Sequence, residues 1–387
     1  MIPDDIIEQA ITWRKALHQY PEVSGEEYLT AEKINTFLQS LQPSLHLTAL
    51  GGTSLLAQFT NQLPGPSLLF RAELDALPIQ EVNTFDHRSK VDGVAHQCGH
   101  DGHMSILLGL ALLLSQNSEF KGTVSLLFQA AEETGTGALA VLADQRFSSL
   151  HFDQVFALHN LPSQPFGKIL CKRGAVTASV NSLIICLKGK TAHAAEPQKG
   201  INPAQAIAQI LAYLPSLEIT DPQSDDFALI TPIHLTMGKK AYGVSAGNGE
   251  IHLTLRTWTE ERMTQITQRL LETVQRSCKI EDLTFSHSWT DSFQANTNNT
   301  TAVKIIQEAA EKLSFDYQEM NTPLQWGEDF GAITQRYNGA FFGLGAGEDI
   351  PALHNPDYDF PDELIEKGLA MFYEIIRSSS KSEKLRQ

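Results

Sequence analysis

The sequence predicts an α/β fold in which a doubly wound, mostly parallel sheet carries an inserted ferredoxin-like α+β satellite. Three observations lead there. Segments of helical and strand periodicity alternate through the first 174 residues; after Gly174 the order becomes β-α-β-β-α-β; from about residue 290 the first style returns. A chain of 387 residues is also too long for one ordinary core and fits about two domains. The expected boundaries are 1–174 and 290–387 for the larger domain, and 175–289 for the satellite.

Residues 4–18 and 27–40 have helical period. Residues 54–59 and 67–71 read as strands, the second through a Leu68-Leu69-Phe70 run of the kind buried on both faces. Helix 103–116 is apolar nearly all round and belongs deep in a core. Strands 122–129 and 154–158 follow. In the satellite, strand 179–188 precedes a helix over 202–214, opened by Asn202 and Pro203. Strands 228–237 and 249–257 come next, the latter alternating Ile251, Leu253 and Leu255 against His252, Thr254 and Arg256. Thr259 caps helix 260–277, with Glu260 and Glu261 in its first turn, and the last satellite strand spans about 281–289. The chain then returns with helix 300–313, a strand near 340–344, and helix 362–377 capped by Asp362. The polar stretch from Ser378 to Gln387 is expected to fray. No internal repeat or low-complexity segment is visible.

Composition narrows the function. With 42% apolar and 19% charged residues the chain is an ordinary globular protein. The excess of 45 acidic over 29 basic residues, a net charge of −16, argues against nucleic acid or an anionic membrane as partner. Four scattered cysteines (Cys98, Cys171, Cys186, Cys278) show no disulfide framework, so a reducing, cytoplasmic setting is expected. The N-terminus opens an amphipathic helix rather than a signal peptide. The apolar run Ile106–Leu114 falls far short of the roughly 20 residues that span a bilayer.

Chemistry concentrates in His96-Gln97-Cys98-Gly99-His100-Asp101-Gly102-His103. A thiol, imidazoles and a carboxylate packed before an apolar helix need polar partners if buried, and together they suit a divalent metal. Cys98 and His100 are two apart, so an extended backbone aims both to one side, and Gly99 lets the chain approach closely. Thiolate and imidazole favour zinc; a carboxylate admits manganese or cobalt. A buried structural thiol beside capped histidines is the plainer alternative.

Further donors follow the carboxyl ends of apolar strands, where open α/β sheets place their ligands. Strand 122–129 runs into Glu132-Glu133, strand 154–158 into His159, and Gly343-Leu344-Gly345 leads by a loop to His354. Taken alone, either histidine reads as an ordinary core or surface residue; four converging segments change that reading. Adjacent glutamates point apart, so one can bind metal while the other faces a bound water and moves its proton. Glu73 and Asp75, after strand 67–71, are either supports for the ligands or turn caps. His87, His151, His234, His252 and His287 are read as ordinary histidines.

At these residues the sequence resembles the metal-dependent amidohydrolases that include bacterial N-acyl-amino-acid and hippurate hydrolases and plant auxin-conjugate hydrolases, relatives of aminoacylase and glutamate carboxypeptidases. The resemblance runs through Trp13–His18 with Pro21-Glu22, Arg71–Pro78, Cys98–His103, Phe128–Glu133, Leu158–Asn160, Gly189–Ala195, Gly327–Phe330 and Leu353–Pro356. It implies hydrolysis of an N-acyl amino acid or similar small amide, and two divalent ions, zinc or manganese, with cobalt or nickel also compatible. In this family's pattern Cys98, His100, Glu133, His159 and His354 fall at the ligands and Glu132 at the general base and acid. His193 matches a histidine that reaches the active site of a second subunit and polarises the scissile carbonyl, in homodimers formed through the satellite. Three features depart from the pattern: Glu73 replaces an Asp, Gln129-Ala130-Ala131 lacks a proline, and Tyr242–Asn248 lacks an Asn-Val-Ile-Pro segment that helps hold substrate. Arg256 and Arg173 are both candidates to anchor a substrate carboxylate. A dipeptidase or carboxypeptidase, or an inactive binder of metal or acyl-amino acid, are the alternatives.

Overall fold

The computed structural model describes residues 2–116 and 119–379, which form two compact units. Unit 1 is built from the chain up to Val176, Asn296–Asn321 and Glu328 onward; unit 2 from Thr177–Ala295 and Thr322–Gly327.

Unit 1 begins with α1 (Asp4–His18), α2 (Tyr28–Ser40), β1 (Leu45–Leu50), β2 (Ser54–Thr60) and β3 (Ser67–Glu73). It continues with α3 (His100–Gln116), β4 (Thr123–Gln129), α4 (Gly137–Ala143), α5 (Gln145–Ser148), β5 (Gln154–Pro162), β6 (Ile169–Cys171) and β7 (Gly174–Ala175). Unit 2 contributes β8 (Ser179–Lys188), β9 (Ala192–His193), α6 (Ala204–Tyr213), β10 (Ala228–Met237), β11 (Val244–Ser245), β12 (Asn248–Thr257), α7 (Glu260–Ile280) and β13 (Thr284–Phe293). The chain then re-enters unit 1 with β14 (Thr297–Asn298), α8 (Thr300–Lys312), β15 (Tyr317–Glu319), α9 (Phe330–Thr334), β16 (Gly339–Gly347) and α10 (Leu364–Ser379).

The main sheet has the order β1-β2-β4-β3-β5-β16-β6-β15. Its centre, β4-β3-β5-β16, is parallel; antiparallel pairs occur at β1-β2, β2-β4 and β16-β6. Side chains alternate across it. Leu68 and Phe70 of β3, Leu126 and Phe128 of β4, and Phe156 and Leu158 of β5 enter one large core with α1, α3, α8 and α10. Their neighbours Leu69, Leu127 and Val155 are equally buried on the opposite face, where α4 and α9 pack. Helices on both faces make the sheet doubly wound, with its central strands buried on each side. A leucine wholly buried this way stabilises the fold by roughly 1.5–3 kcal/mol.

Two of the shifts from the expected boundaries matter for the site. Helix α3 starts at His100 rather than 103, so His100 and His103 share its first turn. Strand β5 does not stop at residue 158: pairing with β16 carries it through His159 and Asn160 to Pro162. The short strands β1, β6 and β15 at and next to the sheet edges, and helices α4, α5 and α9, are too brief to show a period and are additions to the expected elements. Asp362, expected to cap α10, instead directs its carboxylate to Arg14 and Lys15. Ser378 and Ser379, expected to fray, finish α10 and are buried; residues 380–387 lie outside the described residues.

Unit 2 has the strand order β10-β12-β8-β13, antiparallel throughout, which is the ferredoxin-like arrangement of a β-α-β-β-α-β chain. Leu183, Ile185, Ile251, Leu253 and Leu255 point inward against α6 and α7. Asn202 accepts the Ala204 N–H ahead of α6, which therefore starts two residues later than expected. Thr259 caps α7 through the Arg262 N–H. Because α7 runs to Ile280, β13 starts and ends later than 281–289. No described helix is long and apolar enough to cross a membrane.

Candidate metal centre

Every candidate donor of unit 1 emerges at one edge of the main sheet. β3 delivers Asp75, β4 leads into the turn bearing Glu132 and Glu133, β5 carries His159, and the loop after β16 carries His354. The two glycines of the Cys98–His103 segment explain the close packing there. Gly99 has φ +92°, and a Cβ on it would sit 2.5 Å from the Asn160 side chain; one on Gly102 would sit 2.5 Å from the Phe360 ring. Only glycine fits either position.

The donors meet. Cys98 Sγ lies 3.4 Å from His159 Nε2. His100 Nε2 is 3.9 Å from Glu132 Oε2 and 4.0 Å from Glu133 Oε1, and His354 Nε2 is 3.7 Å from Glu133 Oε2. Donor atoms of Cys98, His100 and His159 lie within 4.8 Å of one another, as do those of Cys98, Glu133 and His354. Two overlapping cation-sized clusters thus share the thiol. The adjacent glutamates diverge as expected: Glu133 joins Cys98 and His354, while Glu132 also lies against Glu328 and Asp329.

The remaining ring nitrogens are committed in the way metal-binding histidines require. His100 Nδ1 is 2.9 Å from the Asp75 carbonyl oxygen and 3.6 Å from its carboxylate; His159 Nδ1 is 2.9 Å from the Asn160 carbonyl oxygen. Each ring donates from Nδ1 and turns Nε2 toward the cluster. Asp75 also accepts from Ser24 Oγ at 2.6 Å and from the Glu133 N–H at 2.9 Å, so it both orients His100 and ties the glutamate turn. Glu73 instead pairs with Arg71 and with His103, whose Nε2 lies 2.6 Å from Asn160 Oδ1. His354 adopts φ +66°, held by its N–H donating to the Gln97 carbonyl at 2.8 Å. Such a left-handed non-glycine residue costs of order 1–3 kcal/mol and persists where surroundings enforce it.

Electrostatics favour a cation here. Burial, with Glu133 and Glu132 nearby, pushes the Cys98 thiol well above its ordinary value. Burial and the charges of Glu328 and Glu133 likewise raise Glu132 well above the usual carboxylate range. Burial lifts Glu133 to about 7 against the pull of His100. His100 Nε2, Glu133 Oε1 and Asp75 Oδ1 are buried without a hydrogen-bond partner. A pocket rich in negative charge and unpaired donors, with sulfur, nitrogen and oxygen among them, fits divalent metal ions.

Behind Glu132 lies a further network of buried charges, drawn from the 71–78, 128–133 and 327–330 segments. Arg71, fully buried on β3, contacts Gln129 Oε1 at 3.1 Å, Asp329 Oδ1 at 2.6 Å and Glu328 Oε1 at 3.0 Å, besides Glu73. Asp329 also accepts from Gln129 Nε2 and the Ala138 N–H, each at 2.8 Å, and its own N–H lies 3.4 Å from Glu132 Oε1. An arginine inside the apolar 68–72 run was the available signal, because an unpaired charge there is too costly to bury. His193 and Arg256 belong to unit 2. His193 is exposed on β9, opposite Val244; Arg256 donates from Nε to the Gln325 carbonyl at 3.0 Å. Arg173, in unit 1, is held by both oxygens of Glu319 at 2.6 and 2.8 Å.

A doubly wound sheet whose carboxyl edge gathers two thiol-sharing donor clusters beside a buried glutamate is the framework of a metal-dependent amidohydrolase. The sequence model of peptidase family M20/M25/M40 matches residues 69–378, and the chain belongs to that family. It is 32% identical over 369 residues to the N-acetyl-L-cysteine deacetylase of Bacillus subtilis, covering 95% of this chain and 87% of the relative. The hippurate hydrolase of Campylobacter jejuni is 29% identical, with 93% of each chain covered. Among solved structures, the YXEP protein of Bacillus subtilis, a dinuclear metal binding peptidase of the M20 family, superposes with a TM-score of 0.83 at 28% identity, covering 97% of this chain and 98% of that one. A putative aminohydrolase from Staphylococcus aureus shares the fold with a TM-score of 0.89 at 23% identity, over 98% of both chains.

Proposed function

We propose that this chain hydrolyses the amide bond of an N-acyl amino acid or a similar small amide. The observation that carries the reading is the placement of Glu132, buried beside His100 and Glu133 yet not needed by the cluster that joins Cys98, Glu133 and His354. Cys98, His100, Glu133, His159 and His354 would hold two divalent ions, zinc or manganese. When bound, such ions polarise a carbonyl oxygen and make water more acidic. Glu132 accepts the proton of the attacking water at a carboxylate oxygen and returns it to the leaving nitrogen; the Asp329 N–H steadies that carboxylate. His193 of a second copy donates to the developing oxyanion, a contribution worth about 10²–10³ in rate. Of the two arginines considered for the substrate carboxylate, Arg173 is neutralised by Glu319, whereas Arg256 has no carboxylate within 4 Å among the described residues. Arg256 is therefore our choice.

Unit 2 is read as the homodimerisation satellite and unit 1 as the catalytic domain. The β10 edge strand exposes Ile233, Leu235 and Met237, apolar surface of the kind that subunits bury. Replacing Ile233 and Leu235 by lysine should convert a dimer to a monomer in light scattering. The cysteines are all free thiols, which suits the cytoplasm.

The deciding experiment is a panel of N-acetyl- and N-benzoyl-amino acids and dipeptides, assayed after chelation and after return of manganese or zinc. Metal-dependent cleavage of the acyl-amino acids is the expected result. Cleavage of dipeptides alone would make the protein a peptidase; tight metal uptake with no turnover of any substrate would make it a binder.

A further inference from the structure

A second buried charge cluster of unit 1, separate from the Arg71 network, links two ligand-bearing segments. Arg14 is 1% exposed on α1. Its Nη1 lies 3.2 Å from Asp101 and 2.7 Å from Asp359, its Nε 2.5 Å from Asp362, and its Nη2 3.0 Å from His87. One turn on, His18 shares Asp101 at 2.9 Å and meets Glu81 at 3.3 Å.

Asp101 follows His100 in the first turn of α3. Asp359 and Asp362 close the loop that begins at His354. Around His354 itself the loop is held by His354 N–H to the Gln97 carbonyl, Val82 N–H to the Pro356 carbonyl at 3.0 Å, and Gln97 Nε2 to the same carbonyl at 3.1 Å; further on, Tyr358 and Phe360 are buried and the Tyr358 hydroxyl accepts from Asn160 Nδ2 at 2.5 Å. The His354 side chain is 51% exposed, against 1% for His100 and 12% for Glu133. It is the member of the cluster least fixed by packing, so its position depends on how its loop is anchored.

We propose that Arg14 is a positioning residue for the metal centre, a clasp on α1 that ties the 354–362 loop to the start of α3 and thereby sets how tightly His354 joins the ligand set. The inference rests on reading His354 as a ligand. An apolar residue would fill the same space without desolvating a guanidinium and the buried Asp101 carboxylate, which makes the ionic form an expensive choice for packing alone. Anchors outside the ligand shell typically change metal affinity by 10–100-fold when removed.

The test compares the wild-type protein with Arg14→Lys, Arg14→Met and the double variant Asp359→Asn/Asp362→Asn. The double variant keeps the Arg14–Asp101 pair, and its partly exposed sites let it fold if Arg14→Met does not. Manganese binding by calorimetry and bound metal by elemental analysis are read together with amide hydrogen exchange over 352–362 in metal-free protein. The expected result is a weaker dissociation constant raised about 10–100-fold in Arg14→Met and in the double variant, faster loop exchange in both, and an intermediate value for Arg14→Lys. Unchanged affinity and unchanged exchange in the double variant would overturn the clasp while leaving the metal centre intact. A wild-type protein that takes up no second ion would instead remove the ligand reading, and the clasp with it.

Discussion

The interiors of the two units are built from different materials. In unit 2 the core is aliphatic, and its buried polar side chains are those of Ser179, Thr254, Thr257, Thr273 and Ser277, with Thr177 at its start. In unit 1 the same depth of burial holds Arg14, His18, Arg71, Glu73, Asp75, His100, Asp101, Glu328 and Asp329. Among the described residues, every buried Arg, Asp, Glu and His belongs to unit 1. Burying such groups costs several kcal/mol each before pairing offsets it, and apolar replacements are often as stable or more so. The contrast separates a unit shaped by packing from one in which stability is traded for chemistry.

The largest expected effect tests the chemistry. Glu132→Gln should lower kcat by about 10²–10⁴ while elemental analysis finds the metal content unchanged; near wild-type turnover would remove the proposed base. Next comes the network behind it. Arg71→Met leaves Glu73, Glu328 and Asp329 without their cation and should cost about 3–5 kcal/mol in urea unfolding of the metal-free protein, with activity lost in parallel. Leu253→Ala, in the unit 2 core, should cost about 2–5 kcal/mol as a cavity but leave metal content unaltered at low temperature. If Leu253→Ala also strips the metal, the division of labour between the units fails.

A smaller effect is a pH dependence that arises from His18 of unit 1. Burial works against protonated His18, yet Asp101 and Glu81 carry it from 6.5 up to about 9. Its folded value exceeds its unfolded one, so its stabilisation is complete below about 6.5 and fades as pH rises through about 9. Unfolding free energies from pH 6 to 10 should therefore decline, and His18→Gln should flatten that decline. Least of all, Arg173→Met should change stability by no more than about 0.5 kcal/mol and leave KM alone, whereas Arg256→Met should raise KM. A rise in KM for the former alone would reverse the choice between them.

How much of this was legible in the sequence follows from the range of each signal. Helical and strand periods are local, so the elements with a sustained apolar pattern, among them α1, α3, β4 and β12, were readable. Elements of three to five residues such as β6, β15 and α9 carry too few repeats. Cys98, His100, Glu133, His159 and His354 stood out because donor types clustered beyond apolar strands, and the fold brings their donors together. Hydrogen bonding moved the helix start to His100 and drew His159 inside β5. Apolar pattern cannot register either change.

What the sequence by itself determined was the order of the longer periodic elements, the ferredoxin-like insertion and the chemical kinds of donor at the sheet edge, since each is written in a few consecutive residues. Only the tertiary structure decided that Asp75, not Glu73, orients His100, that Asp329 stands behind Glu132, and that Arg14 joins Asp101 to Asp359. Those pairs join residues as far as 345 positions apart. Which oppositely charged partner a buried group takes is set by low-dielectric contact in the folded core, a choice that no local pattern of residues encodes.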